Sequence, residues 1–188
     1  MTGFSEKIRK KLKSRRGMTI AELLAATMVL LLVVTGLTTG ISMASRHYTR
    51  SVQTSEAQEL YSTLKTILTN ELRYTTEVEL TGDQVDKFYS ITYAVHNDLT
   101  ALVALKSDTA AGSEETADHG ELALGSEGEY NRILGSAAYP NGLTAAGLIG
   151  YDQEAETFTV TLSIYDASDE VILEEAFMVR AMNEVAVH

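Results

Sequence analysis

Arg15-Arg16-Gly17-Met18-Thr19-Ile20-Ala21-Glu22-Leu23-Leu24 opens an apolar run that stays uncharged from Leu23 to Ala44. Those 22 residues are enough to cross a hydrocarbon core of about 30 Å as a helix. Seven basic residues (Lys7, Arg9, Lys10, Lys11, Lys13, Arg15 and Arg16) come before Gly17. Charge on that side alone predicts a cytoplasmic N-terminus and an exported C-terminal part. The sole proline, Pro140, lies far downstream, and in lipid a helix is the only way for one segment to satisfy its own backbone. Glu22 is the unusual residue. A charge just inside a membrane helix costs a few kcal/mol, on the order of 3, so some partner is expected to use it.

Outward from this junction the helical pattern continues with a different character. Ala57, Leu60, Tyr61, Leu64, Ile67, Leu68 and Leu72 fall at i, i+3, i+4, i+7 spacing, and Tyr48 and Val52 extend the stripe backwards. Arg50, Glu56, Glu59, Lys65, Glu71 and Arg73 lie between them. One helix is therefore expected from Met18 to Tyr74, ended by the β-branched Thr75-Thr76. Gly36 and Gly40 match a small-xxx-small packing pattern, but glycine is also simply tolerated in membrane helices.

The remainder reads as β. Phe88 to Val95, a turn at His96-Asn97-Asp98 and Leu99 to Leu105 predict a hairpin. Residues 107–120 are small and polar, a surface loop, and short apolar pieces follow at Leu122–Leu124 and Tyr130–Leu134. The strongest signal is C-terminal. Phe158, Val160, Leu162 and Ile164 alternate with Thr157, Thr159, Thr161 and Ser163, then Asp166-Ala167-Ser168-Asp169 makes a turn. Val171, Leu173, Phe177 and Val179 return on the apolar face. The expected fold class is α+β, with an antiparallel sheet packed on the stripe of residues 57–72, so that Leu64 and Leu162 share one core.

Residues 10–75 resemble the N-terminal region of type IV pilins and type II secretion pseudopilins, on the strength of Arg15-Arg16-Gly17-Met18-Thr19-Ile20-Ala21-Glu22. The resemblance implies that a prepilin peptidase cuts after Gly17 and that the new N-terminal Met18 is methylated. It also implies that Glu22, fifth in the mature chain, is the assembly residue, pairing with the N-terminal amine of an adjacent subunit. Four residues, about 6 Å of rise and just over one helical turn, separate Glu22 from its own Met18 amine; this is read as too far for a good contact along a rigid helix, which also points to a neighbour. The implied organisation is a leader (1–17), a transmembrane and filament-core helix (18–45), its amphipathic continuation (46–75) and an exported β-rich domain (76–188). Implied partners are the peptidase, other pilins or pseudopilins, the platform membrane protein of the assembly machine, and membrane lipid before assembly. The implied location is the bacterial cytoplasmic membrane, then a pilus or pseudopilus on its outer side. Assembled pilins also often lose helix where Gly36 and Gly40 fall, a third reading of those residues.

Other readings of the N-terminus are a Sec signal peptide ending at Ser42-Met43-Ala44, a twin-arginine signal opening at Ser14-Arg15-Arg16, and a plain single-pass anchor. The apolar run is longer than the 7–15 residues, roughly, of a signal-peptide core, and Glu22 is out of place there.

The chain has 15 Lys/Arg and 26 Asp/Glu. Seven of the basic residues and one acid, Glu6, precede Met18, so residues 18–188 carry a formal charge of −17. Such acidity argues against nucleic-acid binding, which needs a basic face. It also makes close-packed copies repel, and points weakly to a minor subunit. There is no cysteine, so the fold rests on its core alone and departs from the disulfide loop of many pilins. No catalytic residue, metal site or cofactor is expected. His47, His96, His119 and His188 have no ligand-spaced neighbours, and Asp118-His119 reads as solvated. Ser126 misses the G-x-S-x-G frame. Asp152/Glu154/Glu156 and Asp166/Asp169/Glu170 read as exposed acidic turns and match no calcium loop.

Overall fold

The computed structural model describes residues 19–91, 99–106, 115–126 and 129–188. Its contacts divide the chain into two compact units, one ending at Thr49 and the other spanning Arg50–His188.

Helix α1 runs Ile20–Arg73, 54 residues without a break. In the first unit its apolar side chains are bare: Leu24, Leu30, Leu32 and Ile41 are all exposed. This stretch is long and apolar enough to cross a membrane, and none of it is buried. By length and composition α1 is a candidate membrane anchor. The threonine hydroxyls in this stretch turn inward. Thr35 donates to Leu31 O (2.9 Å), Thr38 to Val34 O (2.8 Å) and Thr39 to Thr35 O (2.9 Å), so each hydroxyl is satisfied within the helix.

In the second unit α1 is the spine of an α+β fold. Ala57, Leu60, Tyr61, Leu64, Leu68 and Leu72 are buried against the sheet, the face expected from their spacing. Ile67 is only half-buried at the edge of the stripe. Tyr48, expected to continue it, is exposed.

Among the described residues ten strands follow: β1 Thr75–Thr81, β2 Gln84–Ser90, β3 Ala101–Leu105, β4 Thr116–Ala117, β5 Glu121–Ser126, β6 Glu129–Arg132, β7 Thr144–Asp152, β8 Thr157–Tyr165, β9 Val171–Arg180 and β10 Ala186–Val187. They form two sheets, a six-stranded one ordered β10-β1-β2-β7-β8-β9 and a four-stranded one ordered β4-β3-β5-β6. All pairings are antiparallel except β1 with β10, so the chain's last residues return beside the strand that leaves α1. Phe158, Val160, Leu162 and Ile164 of β8 are fully buried in the same core as Leu64.

Three expectations need correction. Thr75 does not merely end the helix but begins β1, which pairs with β2 across a turn at Gly82-Asp83. Val-Glu-Leu-Thr in β1 alternates too briefly to stand out beside a long helical pattern. The expected hairpin of residues 88–95 with 99–105 is replaced by a crossing between sheets. Phe88 and Thr100 meet in one isolated bridge, while β3 pairs with β4 and β5. Tyr93, Val95 and the turn at 96–98 lie outside the described residues, as does most of the expected loop, residues 107–114. Finally, Val171 faces outward. A register shift between Ile164 and Tyr165 pairs Ile164 with Leu173 but Tyr165 with Val171, and the extra residue flips Val171 off the core face.

The sheets join where Gly120 and Ala145 exchange backbone hydrogen bonds of 2.9 and 2.7 Å. A Cβ on Gly120 would stand 2.0 Å from the Leu105 carbonyl oxygen, so the strands approach this closely only because that position has no side chain.

Candidate functional site

Helix α1 begins with a reciprocal cap. The Glu22 N–H donates to Thr19 Oγ1 (3.2 Å), and the Thr19 N–H donates to Glu22 Oε2 (3.4 Å). The segment Thr19-Ile20-Ala21-Glu22 is therefore a capping box, and the carboxylate lies against the positive end of the helix dipole. Helix α1 starts at Ile20, so the carboxylate folds back over the cap to the amide that follows Met18. Gly17 and Met18 themselves lie outside the described residues.

The two acidic turns are used by their own backbones. Asp152 Oδ1 accepts from the N–H groups of Glu154 (2.9 Å) and Ala155 (3.1 Å). Asp166 Oδ1 accepts from those of Ser168 (2.8 Å) and Glu170 (3.0 Å). These are turn-forming carboxylates. No three His, Asp or Glu side chains among the described residues come together as a metal site.

His119 is not a solvated loop residue. Its ring stacks on Tyr165 at 4.4 Å, Nδ1 lies 2.9 Å from Thr144 Oγ1, and Nε2 lies 3.5 Å from Asp169 Oδ1. It fastens the β8–β9 turn to the junction of the two sheets. Its partners come from β7, β8 and the turn after β8, which no local pattern around Asp118-His119 reveals.

A second buried polar group escapes sequence reading. Glu121 heads β5 and is 1% exposed, with its Oε2 2.6 Å from Arg132 Nε on β6 and 3.2 Å from Ser136 Oγ. Beside it the Tyr139 hydroxyl accepts the Leu122 N–H at 2.9 Å. Burial, with the Glu121 charge adding to it, pushes the Tyr139 phenol up to about 12. An acid opening an apolar strand, answered by an arginine on the next strand, was the available signal. Glu121 and Tyr139 are buried while Arg132 and Ser136 reach the surface, an arrangement that suits a structural role.

One groove opens beside the packed half of α1. Glu56, Glu59, Leu60 and Thr63 line one wall, and Leu134, Ala137, Ala138 and Pro140 the other, around about 220 Å³. Asn141 Nδ2 holds both Glu56 carboxylate oxygens, at 2.9 and 2.7 Å. Asn141 has a φ of 54°, the left-handed conformation asparagine tolerates, and this aims its amide at the helix.

Fold and N-terminus together define the class as an α+β chain carried on a helix that is a candidate membrane anchor. No protein-family model, curated protein or solved structure matches the chain.

Proposed function

We propose that this chain is the precursor of a pilin-like structural subunit, cut after Gly17, methylated on Met18 and assembled into a type IV pilus or a secretion or competence pseudopilus, as a minor subunit. One observation carries the reading: a single helix whose first half is apolar and wholly bare becomes, without interruption, the core spine of a β-rich unit. Bare apolar surface on this scale needs lipid or other apolar helices around it. Membrane before assembly and neighbouring subunits afterwards supply both. Glu22 then fixes axial register, since a carboxylate in an apolar core is tolerated only when paired. The chain acts on no substrate; it is itself the substrate of the peptidase.

The mature N-terminus tests this. Mass spectrometry of the membrane-held protein is expected to find a chain starting at methylated Met18, and Gly17→Leu is expected to leave the precursor uncut. A start at Ser45, or an intact Met1 in the wild type, would overturn the reading.

A second reading, an exported or single-pass anchored binding domain that does not assemble, is favoured by the capping box. There the Glu22 carboxylate has a local partner and needs no neighbour. Equal membrane retention without multimers in wild type and Glu22→Gln would favour it.

A further inference from the structure

Among the described residues, six of the seven Lys/Arg of the second unit meet a carboxylate, an aromatic face or a helix end. Lys87, Lys106, Arg132 and Arg180 each meet a carboxylate of their own chain, with Glu79, Glu115, Glu121 and Glu156 respectively. Lys65 sits over the Tyr61 and Phe177 rings, at 5.6 and 5.3 Å. Arg73 closes the last turn of α1, where the helix dipole favours it. Arg50 is exposed on α1 and has no carboxylate partner among the described residues. Six and nine residues further on lie Glu56 and Glu59, the acidic rim of the 220 Å³ groove. Glu59 is exposed and pairs with no cation among the described residues.

We propose that this groove receives Arg50 from a second copy of the same chain. Leu60, Leu134 and Pro140 would cover the arginine's methylenes, and Glu56 and Glu59 its guanidinium. The groove is smaller than the roughly 300 Å³ at which ligand pockets begin, and holds one long side chain. Asn141 fixes Glu56 in advance, so binding orders little. Nine residues at about 100° each place Glu59 on the side of α1 opposite Arg50. Copies related by translation touch through opposite faces, so this contact is head-to-tail, the kind that propagates instead of closing into a dimer. The offset it sets is about 9 Å from Arg50 to Glu56 and about 14 Å to Glu59 along the axis. Its sense is the one that raises a neighbour's Met18 towards Glu22. The inference rests on the assembly reading above for parallel copies, and adds a second point of register outside the apolar core. It also lets a strongly acidic unit pack against itself.

The test uses full-length chains in membranes. The protein has no cysteine, so Arg50→Cys on one tagged copy and Glu59→Cys on a differently tagged copy report only their own meeting. A disulfide-linked heterodimer is expected, well above that from Arg50→Cys paired with Glu174→Cys on the sheet. In a parallel arm without cysteines, Arg50→Glu is expected to lower the multimer recovered by about tenfold or more, since like charges then face each other. Adding Glu59→Arg to Arg50→Glu is expected to restore it. No heterodimer above the control, or a defect that Glu59→Arg leaves uncorrected, as it would be if Arg50 served lipid phosphates, would overturn the proposal. N-terminal mass of the same samples separates this from the assembly reading. A processed chain that multimerises while ignoring Arg50 sinks this contact alone, and an uncut chain sinks the reading beneath it.

Discussion

The two stretches of α1 are both helical and both rich in apolar residues, yet they meet opposite fates. Leu32 is 73% exposed and Leu64 is 0% exposed. The bare stretch is the more hydrophobic, so apolarity alone does not decide what a soluble core takes in. What differs is pattern. Leu23 to Ala44 is apolar all round, whereas residues 57–72 alternate a single apolar stripe with charges, and only a stripe presents one face to a sheet and the other to water. A helix apolar on every side needs a medium, and a helix apolar on one side needs a partner.

The carboxylates repeat the contrast. Glu22 sits at the edge of the bare stretch and is satisfied by the helix's own first turn. Glu121 sits inside the β unit and is satisfied by Arg132 across two strands. The first arrangement is local to one helical turn; the second is built into the fold. Replacing each tests this difference. Glu22→Ala and Glu22→Gln are expected to be cut and held in the membrane normally while multimers are lost almost completely, as judged by cross-linking. Normal incorporation of both would make Glu22 a helix cap and nothing more.

Arg132→Ala is expected to take from the buried Glu121 its charge partner, at a cost of about 3–5 kcal/mol in unfolding free energy. The joint replacement Glu121→Leu with Arg132→Met should recover most of it. Chemical denaturation of a fragment starting at Arg46, which contains the whole second unit, would measure both. A loss under about 1 kcal/mol for Arg132→Ala would mean that water reaches Glu121.

Leucine deletions sharpen the comparison along the helix itself. Leu64→Ala should cost about 2–5 kcal/mol through the cavity it leaves. Leu32→Ala, which removes the same atoms from the bare stretch of the full-length chain, should leave the β unit's midpoint unchanged. Equal effects would mean that the bare stretch folds against the unit after all.

The smallest effect expected is a pH slope. Burial holds the Glu71 carboxyl above its ordinary value of 4.5, against the opposing pull of a hydrogen bond with Ser90. Between 4.5 and the raised value the folded state binds more protons than the unfolded one. The stability this confers is complete below 4.5 and is lost as pH rises through the raised value. Glu71→Gln should flatten that slope and stabilise the unit slightly at neutral pH, while a Ser90→Ala variant should steepen it. An unchanged slope in Glu71→Gln would place the dependence elsewhere.

Much of this could be read along the chain because it depends on near neighbours. Helix α1 follows from an unbroken run without proline, its packed face from the spacing of Ala57 to Leu72, and β8 from strict alternation. The box Thr19-Ile20-Ala21-Glu22 was open to the same kind of reading, since it is a local pattern of four residues. The leader charge, Gly17 and the uncharged run needed no tertiary structure to suggest export and cleavage.

Tertiary structure alone decided the rest, wherever the partner comes from far along the chain or a register slips by one residue. Val171 belongs to the apolar alternation of β9, and only a bulge opposite Tyr165 turns it outward. His119 finds Tyr165, Thr144 and Asp169, and Asn141 finds Glu56 across 85 positions. Gly120 passes so close to Leu105 of β3 that no side chain fits there. A pattern in sequence reports which face a segment hides, because that is a property of the segment. What it hides against is a property of the whole chain, set by how the sheets close over Leu64.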